Sequence, residues 1–394
     1  MSTRREFLMG ATGILGAAAP LLARSQARPC PPPQISAGEF GNATTACTSS
    51  NVPAYIASLA PFEVRSLSGN YSPDNGTTTL RSVMPSMWAG NDDIIRPWSG
   101  GPKSLAGTKM YVHGGGHGDS SNNGLYSFDF AGASRPTGWA IEYAGVPNTS
   151  SSFPIGSVGA PVAVHTYDGM IDMGADIYRI GGAVWPSGHL TPDLLRYSKA
   201  TGEWTRLADY PDTGGAGMAL GEASAGKLLF LEREGKYFAY AFYRMGSNSW
   251  STRKTVGSQW NNNGGAAWSP SLKIAVTIGS NGYGTNMFSV GIDWSGETIT
   301  QTARSAPNVG GGSAVMWDAT LGRFWAFGGA GNNSTIYEIN PSSWAVTAHP
   351  LSGDSISPET PYMGAFGRWV FMEDWRAIGS VASRNGAAYI IRLP

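Results

Sequence analysis

Apolar residues in this chain come in short alternating runs instead of the 3.6-residue rhythm of a helix, and the runs recur at a regular distance. MYVHGGGHGDSSNNGLYSFDF starts at Met110, IYRIGGAVWPSGHLTPDLLRYSKATGEW at Ile177, LFLEREGKYFAYAFYRMGSNSW at Leu229, IAVTIGSNGYGTNMFSVGIDW at Ile274, FWAFGGAGNNSTIYEINPSSW at Phe324 and WVFMEDWRAIGSVASRNGAAYIIRL at Trp369. Each copy is an aromatic-aliphatic run, a turn, and a second alternating run carrying Tyr or Phe, often closed by Trp. The starts lie 67, 52, 45, 50 and 45 residues apart. That is the length of a four-stranded blade with its connections, so the pattern predicts an all-β chain folded as a radial β-propeller.

Strand edges set the blade count. The first five repeats leave room for a fourth strand, for example Ile299 to Ala303, whereas the last stops at Leu393-Pro394. An open strand edge invites aggregation, and Phe62-Glu63-Val64-Arg65-Ser66-Leu67 alternates correctly to cover it. Six blades closed by this N-terminal strand are expected, or seven if residues 68–96, including Leu80 to Met84, hold a degenerate blade. Composition fits many short strands and tight turns: 54 Gly, 14 Trp and 16 Tyr among 394 residues, with 14% charged. A propeller is one closed ring, so residues 62–394 form a single expected domain.

The first residues read differently. Thr3-Arg4-Arg5-Glu6-Phe7-Leu8 has the form of a twin-arginine export signal. The Gly/Ala-rich run from Met9 to Leu22 that follows is too short and too weakly apolar to span a bilayer, and Ser25-Gln26-Ala27 is a small-residue cleavage site. Residues 1–27 are therefore assigned to a leader and the mature protein to the periplasm or the medium, with no membrane span and a monomeric state expected. The whole chain carries 27 basic and 27 acidic residues, and the leader removes Arg4, Arg5, Arg24 and Glu6, which leaves the mature chain at −2. That balance argues against a nucleic-acid partner, which needs a concentrated positive field. Cys30 and Cys47 are the two cysteines, both in the Pro/Ser/Thr-rich segment 28–61. In an oxidising compartment they are expected to form a disulfide, worth about 3 kcal/mol for a loop of that length. No Cys lies in the repeats, so a Tyr-Cys copper cofactor cannot form there.

Two repeats carry a family resemblance. Gly181-Gly182 with Tyr197 and Trp204, and Gly328-Gly329 with Tyr337 and Trp344, resemble kelch modules: a Gly pair after the second strand, an aromatic on the third and a closing Trp. Gly114-Gly115 with Tyr126 keeps part of the pattern and Gly279-Ser280 less, while Arg233-Glu234 and Glu373-Asp374 replace the pair in the third and sixth copies. The resemblance implies a propeller over residues 97–394. Kelch-type propellers include oxidases, polysaccharide lyases and interaction modules, so the chemistry has to come from the site.

In a propeller, the loops between second and third strands and those between blades share one face. On that rule the face collects Trp98, Gly114 to Gly124, Trp185 to His189, Trp260 to Asn263, Tyr283, Asn332-Asn333, Glu359 to Tyr362 and Asp374-Trp375-Arg376. Four of the five histidines, His113, His117, His165 and His189, belong to the first two repeats. In Tyr111-Val112-His113-Gly114-Gly115-Gly116-His117-Gly118-Asp119, three glycines permit close approach to a ligand, and two imidazoles and a carboxylate can converge on it. His165 and Tyr167, read as one face of the innermost strand of blade two, resemble the His/Tyr pairs of propeller-type polysaccharide lyases. There one group takes the proton alpha to a uronate carboxylate and the other protonates the leaving oxygen.

The expected catalytic set is His117, His165 and Tyr167, with Arg376, or less securely Arg179 or Arg196, clamping the carboxylate. His113, Asp119, Asn122, Trp185, His189, Trp260, Asn262, Tyr283 and Asp374 are the expected substrate contacts. His113, His117 and Asp119 are also a candidate set for a divalent Mn or Zn ion. Ser72-Pro73-Asp74-Asn75-Gly76-Thr77, which loosely resembles a sialidase Asp-box, lacks the closing aromatic and reads as a turn. The leading expectation is an exported polysaccharide lyase acting on a uronate-containing glycan by β-elimination. The alternatives are a non-catalytic glycan- or protein-binding propeller, and a metal-dependent glycan hydrolase or oxidase.

Overall fold

The computed structural model describes residues 51–394 apart from 75–77, 87, 89–93, 96–97, 105, 147–155, 235–236, 258–261, 281–284, 330 and 360–363, and leaves undescribed the side chains of 233, 234, 262 and 280. The leader, Cys30 and Cys47 lie outside the described residues, as do Trp260, Tyr283 and the side chain of Asn262. No helix among the described residues is long and apolar enough to cross a membrane.

Six antiparallel sheets form a six-bladed propeller. The second blade runs from axis to rim as Met170–Asp172, Asp176–Ile180, Leu194–Ser198 and Glu203–Arg206, with Val158–Gly159 outside. The third is Gly217–Glu222, Lys227–Glu234 and Tyr237–Arg244, edged by Ser249–Trp250 and Lys254–Val256. The fourth is Asn262–Ser269, Ile274–Ser280, Thr285–Asp293 and Thr298–Arg304, and the fifth Ala314–Asp318, Arg323–Phe327, Thr335–Ile339 and Val346–Pro350. The apolar side chains that alternate along these strands interlock between neighbouring blades: Phe238, Phe242 and Leu229 of the third blade pack with Trp268, Phe288 and Val290 of the fourth.

The sixth blade is Trp369–Met372, Ala377–Val381 and Ala388–Arg392, and its fourth strand is Glu63–Ser66 from the N-terminal side. Val64 pairs with Ile391, Arg65 with Ile390 and Ser66 with Tyr389, antiparallel. The edge left by the last repeat is therefore covered by the strand its alternation pointed to, and Ser352–Gly353 adds a short parallel pairing beyond it. Residues 68–96 contribute no blade: the described part holds a 3-10 turn, Gly69–Tyr71, and the helical turn Leu80–Val83. One repeat is out of phase with its sequence reading. Trp369–Met372 is the innermost strand of its blade, paired with Ala377–Val381 as second strand. Asp374 and Arg376 consequently belong to the turn between first and second strands, at the opposite end of the blade from the loops that line the histidine face.

The first blade has Lys109–His113, Leu125–Asp129 and Gly138–Tyr143, and its innermost place is taken by residues 100–104. Gly100 bridges His113, Lys103 bridges Ile171 of blade two and Ser104 bridges Val370 of blade six, the last two parallel. Asp172 N donates to Lys103 O at 3.2 Å, Ser104 N to Trp369 O at 3.3 Å and Phe371 N to Ser104 O at 3.0 Å. The ring thus closes by backbone hydrogen bonds at its axis as well as by the N-terminal strand at its rim.

Val64 is buried in the cluster that holds Trp325, Trp369 and Ile391. Val64→Asp is expected to destabilise the fold by about 3 kcal/mol, because it places an unpaired carboxylate there. A urea denaturation midpoint unchanged from wild type would show that the closing strand contributes no stability.

Candidate functional site

Four side chains from three segments meet at the mouth of the ring, where the chain turns inward to start its inner strands. His165 ends the short strand Val164–His165, which pairs with Ala183–Val184 in a two-stranded ribbon outside the blade. Tyr167 follows in a turn with φ +49°. The innermost strand of blade two starts only at Met170, so the expectation of one strand face carrying both residues is corrected. The turn still brings them together, with ring centroids 6.2 Å apart and edge to face. Trp98, before the inner segment of blade one, lies 5.5 Å from the His165 ring. Phe366, before the inner strand of blade six, lies 6.3 Å from Tyr167.

The glycine run of blade one supplies the other half. Gly116 has φ +82°, and a Cβ there would fall 2.2 Å from His165 N. Only glycine lets this loop lie on the His165 backbone. That contact places Asp119 Oδ2 2.6 Å from His165 Nε2, a carboxylate-imidazole pair in which the acid fixes ring orientation and, in the neutral ring, puts the proton on Nε2. His165 is buried, and its Nδ1 has no hydrogen-bond partner among the described residues. His117 stands 5.4 Å from the His165 ring, edge to face. It is exposed at the rim, with the backbone of Gly188 so close that a Cβ would sit 2.2 Å from its Cδ2.

Trp98, His117, Tyr167 and Phe366 all have positive φ, between +42° and +68°. Such backbone costs about 1–3 kcal/mol per residue and persists only where the surrounding structure over-determines it; Phe62 and Trp344, among others, show it away from the mouth. Trp98 is also 37% exposed, an aromatic face open to a ligand beside His165. Burial pushes the Tyr167 hydroxyl up to about 12. Near neutrality Tyr167 is therefore a proton donor and not a base.

Other expected residues are placed elsewhere. His113 is fully buried, with Nδ1 2.8 Å from Gly124 O and Nε2 3.5 Å from Arg179 Nη1. Burial, and secondarily the Arg179 charge, push its pKa down to about 3. Its two ring nitrogens face Gly124 and the Arg179 cation, and no set of three or more His, Cys, Asp or Glu among the described residues is placed to hold a metal. Asn122 is buried and structural: its Oδ1 accepts from Gly124 N at 2.9 Å and Tyr126 Oη at 3.2 Å.

His189 is exposed, and its Nδ1 contacts Ser187 Oγ. Trp185 is half-buried in the same loop. Arg179 is fully buried and donates to Val162 O at 2.7 Å, out of a ligand's reach. Arg196 lies on the third strand of blade two, opposite Tyr178 and Thr205. Arg376 is corrected outright: at the opposite end of the ring its guanidinium forks onto Asp318, Nη1 to Oδ1 at 2.9 Å and Nη2 to Oδ2 at 2.6 Å. Asp374 is exposed beside it.

Two features of the mouth escaped the sequence reading. Phe366 sits in the short Gly364-Ala365-Phe366-Gly367 run, a weak signal of a constrained turn. Beneath Tyr167, Asp168 Oδ2 accepts from Lys103 Nζ and, at 2.9 Å, from Ala266 N, while Lys103 Nζ donates to Ala266 O at 3.0 Å. All three partners are buried and come from blades one, two and four, so the pair crosses the axis and floors the site. No local pattern marks residues 65 positions apart as partners.

No family model and no curated protein sequence matches the chain. Among solved structures, YjhT is similar at 11% identity and a TM-score of 0.49 over 75% of this chain and 93% of that one. A chain of a nidogen/laminin complex is similar at 10% identity and a TM-score of 0.44, over 69% of this chain and 84% of that one. Likeness at that level carries no argument about what the mouth binds.

The buried His113 has a measurable consequence. Its pKa lies below the unfolded value of about 6.5, so the unfolded chain binds the extra proton first. Its share of stability is complete above that value and is lost as pH falls toward about 3, at up to about 1.4 kcal/mol per pH unit. Denaturation midpoints of His113→Gln are expected to vary less between pH 7 and pH 4 than those of wild type. Parallel profiles would show that His113 does not titrate in this way.

Proposed function

We propose that this protein is an exported carbohydrate-active enzyme that cleaves a uronate-containing polysaccharide by β-elimination, in line with its resemblance to kelch-type propellers and with its twin-arginine leader. The observation that carries the reading is the group at the mouth: an exposed imidazole, an imidazole fixed by a carboxylate, and a tyrosine kept protonated, with the His165 ring 5.4 Å from that of His117 and 6.2 Å from that of Tyr167. Elimination needs a base and an acid at neighbouring carbons. His117, whose ring makes no hydrogen bond among the described residues, takes the proton alpha to the uronate carboxylate. The electron pair of that C–H bond forms the new double bond as the bond to the glycosidic oxygen breaks, and Tyr167 protonates the departing oxygen. His165, oriented by Asp119 and close to both rings, accepts on its free Nδ1 the proton that His117 has taken and passes it to the Tyr167 phenolate, which restores all three groups. Trp98 supplies an apolar face for a sugar ring.

A second reading, a propeller that binds glycans without cleaving them, is favoured by one observation. Arg376, the expected carboxylate clamp, is committed to Asp318, and Arg179 is buried against Val162 and His113.

One assay separates the readings: purified protein with a panel of uronate polysaccharides, followed by the ultraviolet absorbance of the unsaturated product. Absorbance is expected to rise on at least one uronate and to be insensitive to EDTA. Tyr167→Phe and His117→Ala are each expected to lower kcat by about 10²–10⁴-fold with little change in KM, whereas Trp98→Ala raises KM. Folded protein that gives no product on any uronate, yet still binds one, would replace the lyase reading with the second. A rate abolished by EDTA would return the metal to the mechanism.

A further inference from the structure

The end of the ring opposite the histidines carries a second concavity. Between the third and fourth blades a cleft of about 690 Å³ is lined by Glu222, Lys227, Trp268, Lys273, Asp293 and Trp294 among others. These residues lie where the inner strands Gly217–Glu222 and Asn262–Ser269 end and where Thr285–Asp293 turns back. The volume falls in the range of small-ligand sites, about 300–1,000 Å³.

The walls are built and held. Trp268 and Trp294 meet edge to face at 5.5 Å, and Trp268 Nε1 donates to Glu222 Oε2 at 2.8 Å. Glu222 Oε1 accepts from Ser224 N at 3.1 Å and Ser224 Oγ at 2.7 Å. Lys227 Nζ fixes the turn by donating to Trp294 O at 2.6 Å and pairing with Glu297 at 2.9 Å. Asp293 takes its hydrogen bonds on Oδ1, from Ser295 N at 3.0 Å, Ser295 Oγ at 2.6 Å and Gly296 N at 3.0 Å. Its Oδ2 accepts none among the described residues, and the ammonium of exposed Lys273 is unpaired among them. Hydrogen bonds from Gly296 N–H and Ser295 hold the Asp293 carboxyl below its usual range, so it stays an acceptor.

The lining narrows the ligand. Glu222 and Asp293 balance Lys227 and Lys273, so there is no positive excess for a phosphate and no concentrated negative charge for a cation. The free Oδ2 of Asp293 and the ammonium of Lys273, set beside a wall of Pro270, Ile292 and the narrow accessible margins of two otherwise buried indoles, fit a ring that carries hydroxyls around an apolar C–H face. We propose that this cleft is a second glycan-binding site, which takes a short uncharged stretch of a hydroxyl-rich saccharide chain and is distinct from the histidine mouth. It stands independently of the elimination chemistry. On an insoluble polymer it anchors the protein by one end and leaves the mouth at the other free.

Affinity electrophoresis of the full chain through gels containing hydroxyethylcellulose, xylan or alginate tests it, with thermal melts to confirm folding. Wild type and His117→Ala are expected to be retarded alike on a neutral polysaccharide. Ser224→Trp, which fills the cleft from an exposed turn, is expected to bind at least about tenfold more weakly, equivalent to 1.4 kcal/mol, and Lys273→Glu to be weakened as well. Activity of Ser224→Trp on short soluble uronates should match wild type, so failure of this site and failure of the lyase reading give different results. No retardation on any gel, equal retardation of folded Ser224→Trp, or loss of retardation in His117→Ala would each overturn the proposal.

Discussion

Residues 100–104 have to satisfy hydrogen-bonding neighbours on two sides at once, blade two through Lys103 and blade six through Ser104, and the rest of the molecule depends on their doing so. A sheet edge left open at the axis would leave backbone donors and acceptors unpaired between neighbouring strands. The parallel bridges remove that edge and set the distance between the first, second and sixth blades. The segments just above them, carrying Trp98, Tyr167 and Phe366, have no freedom left to spread. The mouth is as narrow as the ring closure makes it.

The Lys103–Asp168 pair adds a second restraint from inside. Burial pushes the carboxyl up to about 6 and the ammonium down, and their attraction opposes both shifts. Burying two charges costs several kcal/mol unless their remaining hydrogen bonds are met, and here Ala266 of the opposite blade supplies both a donor and an acceptor. Such a pair contributes more to a unique arrangement than to net stability. It fixes the residue after Tyr167 against blades one and four, which holds Tyr167 in its left-handed turn.

Above that floor the charges are few and directed. The Asp119 carboxylate meets His165, the Tyr167 hydroxyl is kept protonated by burial, and His117 faces solvent. A protonated phenol and two imidazoles side by side can supply the donor and the acceptor that acid/base chemistry requires. The opposite end of the ring, where Arg376 and Asp318 lock together and two indoles line a cleft, has a different character. Two ends with different side-chain chemistry on one frame reflect the propeller's loop geometry, which sends alternate connections to opposite faces.

The repeats, their spacing, the six blades and the closing strand at Val64 were legible because each rests on a local alternation of apolar and polar residues, and a strand edge constrains its partner whatever the rest of the chain does. The histidine concentration in the first two blades was legible as composition. The phase of the sixth blade was not, since Trp369–Met372 and Ala377–Val381 both alternate and nothing local says which lies at the axis. That one shift carried Arg376 to the wrong face. His113 and His117 look alike in sequence, yet one faces Gly124 in the core and the other faces solvent, because the glycines between them turn the chain away from the strand. The sequence by itself determined that a ring of short strands would form and where its edges had to meet. Only the tertiary structure decided that Asp119 pairs with His165 and that Phe366 joins Tyr167 while Arg376 does not, because those neighbours are set by contacts between blades that no stretch of sequence contains.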